Sequence, residues 1–252
     1  MTELLLETIG SVRILTLNRP EKRNALNDAL VSSLKGALND ADADENLRSI
    51  VIRGAGKDFC SGADLESLRK ISESSYDENL EDARGLGELF LMIRRLKVPV
   101  IAAVRGRALA GGFGLALACD LIVSDSTGVF GFPEVKIGFV PAMVAAVIRR
   151  NMSEKGVFAT LTLGSEIGAV ELCRIGLVHE IFNDESFDED VAAYASQYDK
   201  LSHSAVVMTK KLLYEIDGMP FKQAIERGAE VNAAARMTED CKKGIAKFLE
   251  KK

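Results

Sequence analysis

The stretch Val98–Ser124 constrains the fold more than any other part of this 252-residue chain. Val98-Pro-Val-Ile-Ala-Ala-Val104 is continuously apolar apart from its proline, as a buried strand is. It runs through Gly106-Arg-Ala-Leu-Ala-Gly-Gly-Phe-Gly114 into Leu115-Ala-Leu-Ala-Cys-Asp120, whose small residues read as a helix over Gly111–Cys119. The strand Leu121-Ile-Val-Ser124 follows at once. Strand, helix and strand in immediate succession imply a parallel α/β arrangement.

The flanking sequence agrees. Val12-Arg-Ile-Leu-Thr-Leu17 is a strand stopped by Asn18-Arg-Pro20, and Ser49-Ile-Val-Ile-Arg53 is another, closed by Gly54-Ala-Gly56. Asn27–Leu47 has helical spacing with Leu30, Leu34 and Leu38 on one stripe, and Leu86–Leu96 is helical too. The polar, acidic segment Ile71–Asp82 shows no apolar face and reads as a solvated loop. From Ser204 the pattern becomes three helical stretches, 204–217, 220–237 and 238–251, punctuated by Gly218 and Pro220. This gives an α/β core over residues 1–195 and a helical C-terminal region over residues 196–252.

Composition narrows the chemistry. With only two histidines, His179 and His203, multi-histidine metal sites are excluded and no metal centre is expected. No G-x-S-x-G elbow, G-x-G-x-x-G or Walker spacing occurs. A net charge of −5 and a pI near 5.3 argue against a nucleic-acid partner. Cys60, Cys119, Cys173 and Cys241 are far apart and read as reduced, buried thiols. No apolar run is long enough to span a membrane and the N-terminus shows no signal-peptide pattern, so the expectation is a cytoplasmic protein. Chemistry must run on carboxylates, backbone donors or lysines.

Three stretches are candidates. Phe59-Cys-Ser-Gly-Ala-Asp-Leu65 and Gly106–Gly114 both place small residues where a helix begins, where unpaired N–H groups can approach a ligand oxygen. If the two turns converge, they form an oxyanion hole; either alone would equally suit tight helix–sheet packing. The third is Phe130-Gly-Phe-Pro-Glu134, where an acidic residue set in an apolar pocket would have a raised pKa suited to acid–base work; taken singly, it reads first as a surface or helix-capping glutamate.

Together these stretches resemble the enoyl-CoA hydratase/isomerase (crotonase) superfamily. Ile101-Ala-Ala-Val-Arg-Gly106, Ala110-Gly-Gly112 and Leu117 to Leu121 fit its signature. Asn18-Arg-Pro, Asn24-Ala-Leu26, Phe59–Leu65, Pro133-Glu134, Gly176-Leu-Val178 and Gly244–Leu249 extend the likeness over nearly the whole chain. The resemblance implies a spiral of β-β-α turns with a helical C-terminal trimerisation region, assembled as a trimer or a hexamer of two trimers. It implies an acyl-CoA substrate and no separate cofactor, with the thioester oxygen held by the backbone N–H groups of Ala63 and Gly111 and with Glu134 as acid/base. Coenzyme A contacts are implied at Arg23, Ala25, Leu26, Ser61, Asp64, Leu65, Phe248 and Lys251, the last two often reaching a neighbouring subunit. The basic cluster Arg19, Lys22 and Arg23 would suit the anionic coenzyme. Gly114, Phe139 and Met143 would line the acyl pocket.

The departures matter as much. Hydratases of this family carry a second glutamate where this chain has Gly114, and many relatives read Pro-x-x-Gly-Gly where it has Pro141-Ala-Met-Val-Ala145. One carboxylate suffices to shift a double bond from C3 to C2, whereas water addition would need another group to hold the water. A glutamate restored at 114 should then raise water addition. The resemblance leaves hydration and double-bond shift both open, beside decarboxylation, thioester hydrolysis or acyl-CoA binding without turnover.

Overall fold

The structure, a computed structural model, describes residues 2–250. It opens with a hairpin of β1 (Leu4–Ile9) and β2 (Val12–Leu17), joined at Gly10, whose φ of +58° suits the two-residue turn. Helix α1 (Asp28–Ala43) starts at Asn27, whose side chain accepts the Leu30 N–H, and buries the predicted Leu30, Leu34 and Leu38 stripe. β3 (Ser49–Gly54) follows.

α2 (Leu65–Glu73) and α3 (Tyr76–Arg95) occupy the segment expected to be a loop. The Ile71–Asp82 reading is corrected here. Ser75 and Glu78 form a capping box that starts α3 with no apolar residue needed in its first turn. The apolar residues Leu89, Phe90 and Ile93 of its second half supply the packing.

The next elements alternate between two sheets. β4 (Val100–Val104) belongs to a six-stranded sheet of order β1-β2-β3-β4-β6-β9, and β5 (Arg107–Leu109) to a three-stranded sheet of order β5-β7-β8. α4 (Gly111–Ala118) comes next, then β6 (Leu121–Ser124) in the first sheet and β7 (Val129–Gly131) in the second. The β-β-α repetition is the expected spiral. The large sheet is parallel from β2 onward, with buried strand residues on both faces of β4. α4 is buried from Gly112 to Ala118, which explains why its sequence has no polar face.

A short 3₁₀ helix (Pro133–Ile137), α5 (Ala142–Ile148), α6 (Glu154–Leu163), β8 (Glu166–Gly168), α7 (Ala169–Arg174), β9 (Glu180–Ile181) and α8 (Phe187–Ala195) complete the core. α9 (His203–Glu215), α10 (Phe221–Met237) and α11 (Glu239–Glu250) match the three C-terminal stretches. α9 is fastened to the core by Lys210. Its ammonium donates to Ile93 O, Val98 O and Asp120 Oδ2 (2.7 Å), and the Tyr214 hydroxyl donates to Asp120 Oδ1 (2.6 Å). All four cysteines are free thiols, with Cys60 and Cys119 buried and Cys173 and Cys241 half-buried.

Lys210→Met removes the one cation paired with Asp120 among the described residues, leaving its carboxylate only the Tyr214 hydroxyl and the Val100 N–H. It should lower the unfolding free energy by about 3–5 kcal/mol, read from denaturant titration.

Candidate active site

Two backbone segments meet at the N-terminus of α4. Cys60 N–H donates to Arg107 O (3.0 Å) and Leu109 N–H to Cys60 O (2.9 Å), which lays the segment alongside β5. On its other side Ser61 N–H donates to Arg23 O (3.1 Å), Leu26 N–H to Gly62 O (2.7 Å) and Asp64 N–H to Leu26 O (3.4 Å). Neither ladder uses the Ala63 N–H. Among the described residues it donates to no protein acceptor, and neither does the Gly111 N–H at the start of α4. The two candidate oxyanion donors are thus unspent.

Glycine brings them together. A Cβ at Gly62 (φ +92°) would stand 2.7 Å from Ala110 Cβ and 3.5 Å from Gly111 N, and one at Gly112 only 2.2 Å from Cys60 O. No side chain fits at either position. Ala110 itself, the N-cap of α4, has φ +50° and ψ −127°, a strained conformation for a residue with a Cβ. Cys60 offers no nucleophile at this junction, since burial pushes its thiol up to about 12.

Glu134 is delivered to the same place by β7. Leu109 pairs with Gly131, and Ala110 N–H donates to Gly131 O (2.9 Å), so the end of β7 adjoins the start of α4. Phe132 stacks on Phe113 of α4 with ring centroids 4.8 Å apart, and Phe130 packs on the same ring at 5.1 Å. Pro133 then opens the 3₁₀ turn that carries Glu134, closed by Gly138 in the left-handed conformation. Glu134 Oε2 is buried and, among the described residues, has no hydrogen-bond partner. Burial raises its pKa above the ordinary glutamate range, only partly offset by its own backbone N–H.

Three helices wall this corner, and the wall is apolar. Leu26 Cδ1 and Leu86 Cδ2 of α3 lie 3.5 and 3.7 Å from where a Cβ on Gly111 would be, and Met143 Cγ of α5 lies 3.8 Å from that of Gly87. At Gly114 a Cβ would collide with Val144 Cγ1 at 2.4 Å and Phe90 Cζ at 2.9 Å. A glutamate at 114 would therefore have to displace Val144 and Phe90 at its Cβ before its carboxylate could reach the site. Gly114 is a packing position in the wall. Leu86 and Phe90 escaped the sequence reading; their spacing of four on one helix, opposite the small residues of α4, was the signal available.

The other expected residues divide by burial. Arg23 and Leu65 are exposed, Ser61 is half-buried, and Ala25 and Leu26 are buried, all in the turns beside Ala63. Phe139 follows the Glu134 turn and is 40% exposed. Phe248 lies exposed on α11, and Lys251 lies outside the described residues. Arg19 is the exception within its basic cluster. It is 4% exposed and ion-paired with Glu3 (3.2 Å) and Asp64 (2.8 Å), so it is corrected from a coenzyme contact to an internal one. Asp64 caps α2 by accepting the Ser67 N–H and is itself buried. Two surface clefts, one beside Arg150 and Thr160 and one beside Lys210 and Leu213, include neither Glu134 nor the two donors.

Two stability measurements check this geometry. Glu134 has a raised folded-state pKa, so its contribution is most favourable at low pH and is lost as pH rises through that value. Glu134→Gln should therefore be at least as stable as the parent at neutral pH. Gly114→Ala should cost about 1–3 kcal/mol by overpacking, exceeding the ~1 kcal/mol of helix propensity it gains, and Val144→Ala in the same chain should recover most of it.

Comparison with known proteins shows the family. The Enoyl-CoA hydratase/isomerase family model matches residues 7–252. A Thermus thermophilus relative with a provisional enoyl-CoA hydratase name is 39% identical over 243 residues, 96% of each chain. The 2,3-dehydroadipyl-CoA hydratase of Escherichia coli is 31% identical, covering 100% of this chain and 97% of its own. The enoyl-CoA hydratase structure from Mycobacterium smegmatis superposes with a TM-score of 0.94 at 30% identity, covering 99% of this chain and 97% of that one. With a family match from residue 7 to the end and relatives aligned along their whole length, this chain belongs to the enoyl-CoA hydratase/isomerase family.

Proposed function

We propose that this enzyme moves a proton between two carbons of an enoyl-CoA, shifting a double bond from C3 to C2 with Glu134 as the sole acid/base. The observation that carries this reading is the crowding at Gly114: Val144 and Phe90 press on the Cβ that a second, water-holding glutamate at this position would need. Glu134 takes a proton from C2, and the electron pair of that C–H bond spreads onto the thioester oxygen. The Ala63 and Gly111 N–H groups stabilise the resulting dienolate. Protonated Glu134 then returns the proton to C4, leaving the double bond at C2. A raised pKa suits both halves, since the same group must accept and donate near neutrality. The scheme uses no cofactor, the coenzyme A thioester being substrate.

Hydration of a 2-enoyl-CoA is the second reading, favoured by the hydratase names of the relatives. The coenzyme would lie across the exposed Lys22 and Arg23, beside the turn that holds Ala25, Leu26 and Ser61. The C-terminal helices carry exposed Phe221, Ile225, Met237, Ile245 and Phe248, and neither α10 nor α11 buries a residue within one chain. Such faces suit contacts between subunits, and a trimer or a hexamer of trimers is the assembly this reading expects.

Reaction of a 3-enoyl-CoA should give the 2-enoyl product faster than crotonyl-CoA is hydrated, and in D₂O deuterium should enter C4 only to the extent that protonated Glu134 exchanges with solvent before it returns the proton. Hydration outpacing the shift would overturn the preference. Glu134→Gln should lower the shift by about 10²–10⁴-fold while acyl-CoA binding persists. The rate should also fall as pH drops through a value above the ordinary glutamate range, where the base becomes protonated. Combining Gly114→Glu with Val144→Gly should raise hydration above that of Gly114→Glu alone, because the collision at Val144 is then removed.

A further inference from the structure

We infer that Arg19 is a positioning residue that aims the Ala63 N–H at the thioester oxygen by clamping the two backbone segments flanking it. The inference rests on the reading of Ala63 as a thioester donor. Arg19 is nearly fully buried at 4% exposure, and each face of its guanidinium fork is spent on a different segment. Nη1 donates to Ala25 O at 2.5 Å, Nη2 to Asp64 Oδ2 at 2.8 Å, and Nε lies 3.2 Å from Glu3 Oε1.

The partners fall on both sides of the donor. Ala25 precedes Leu26, which bridges Ala63 in a parallel pairing, and Asp64 is the next residue after Ala63. Asp64 has its other oxygen on the Ser67 N–H at 2.8 Å, so Arg19 and the start of α2 hold it from opposite directions. Burial opposes ionisation of Asp64, but the Ser67 N–H and Arg19 bonds outweigh it and hold the carboxyl down at about 2. It is therefore charged at all working pH values. Gly62 on the other side has φ +92°, and its carbonyl oxygen, in the same peptide as the Ala63 N–H, accepts from the Leu26 N–H at 2.7 Å. The orientation of the Gly62–Ala63 peptide is then set by what holds Leu26 and Asp64, and Arg19 holds both neighbourhoods.

The rest of the turn is built to keep Arg19 in place. Its backbone N–H donates to Asn24 Oδ1 (2.9 Å), and Asn24 Nδ2 donates to Ala55 O and Asp58 O. Arg23 and Asn24 both adopt positive φ, at 50° and 53°, and the Asn24 N–H donates to Arg19 O at 2.9 Å, which closes the turn on the Arg19 backbone. Glu3 is braced in turn by Asn27 Nδ2 (3.1 Å). A lysine at 19 keeps the charge but has no planar fork to engage Ala25 and Asp64 together.

The probe is cinnamoyl-CoA, a conjugated thioester whose absorbance moves to longer wavelength when its carbonyl oxygen is polarised. Bound to the parent protein it should show that shift. In Arg19→Lys the shift should fall to less than half, and kcat for a 3-enoyl-CoA should fall by about 10–100-fold with KM within about threefold, a partial loss of one oxyanion donor. A folded Arg19→Lys protein with the full shift and parental kcat overturns the clamp, as does a loss confined to KM, which would mean a coenzyme-binding role. If Arg19→Lys does not fold, Asp64→Asn, which keeps the helix cap and removes the charge, is read by the same two measurements. Binding to the parent protein without any spectral shift would instead overturn Ala63 and Gly111 as thioester donors.

Discussion

The site depends on one close approach, that of the Cys60–Gly62 backbone to Ala110–Gly112. The distances leave no room for a Cβ at Gly62 or Gly112, and the bonds between Cys60, Arg107 and Leu109 lock the segments side by side. Two N–H groups emerge unspent from that contact, one from each segment. In the proposed role of oxyanion donors, worth about 3–4 kcal/mol of barrier apiece, these groups contribute through their aim, so the packing that fixes it belongs to the proposed catalytic device. The strain at Ala110 and the buried charges around Arg19 are costs borne at the same place.

The position of Glu134, the proposed acid/base, follows from the same contact. β7 pairs with β5 in a register that ends at Gly131, and the phenylalanines at 130 and 132 pin the following turn onto α4 through Phe113. Glu134 arrives with one carboxylate oxygen buried and unpartnered, which leaves it basic and available. In the wall beside Gly114 the volume is filled by Val144 and Phe90. Absence of a second acid and bulk at 144 are therefore one packing fact, which the sequence shows as two separate departures.

Most of the fold was legible because its signals are local and strong: the apolar run of β4, the small residues of α4 and the leucine stripe of α1. The start of α3 was not, because a helix whose first turns are acidic carries no apolar period, and its signature is the Ser75–Glu78 capping box. The resemblance named the candidates Ala63, Gly111 and Glu134 and, in the wall, Gly114 and Met143, but not Leu86 and Phe90 beside them. That Gly114 faces Val144 is a contact across thirty positions, which no spacing rule reports. Arg19 was misread for a related reason: a basic residue beside two others suggests an anion site, and only burial against Asp64 and Glu3 shows that its charge is already used.

The most direct measurement is a structure of the enzyme with a bound, unreactive 3-enoyl-CoA analogue. The account predicts the thioester oxygen within about 2.7–3.1 Å of both Ala63 N and Gly111 N. It also predicts the Glu134 carboxylate within about 3–3.5 Å of C2 and within reach of C4, with no second carboxylate beside C3. A thioester oxygen bound elsewhere, or another acid at C3 with Phe90 and Val144 displaced, would contradict it.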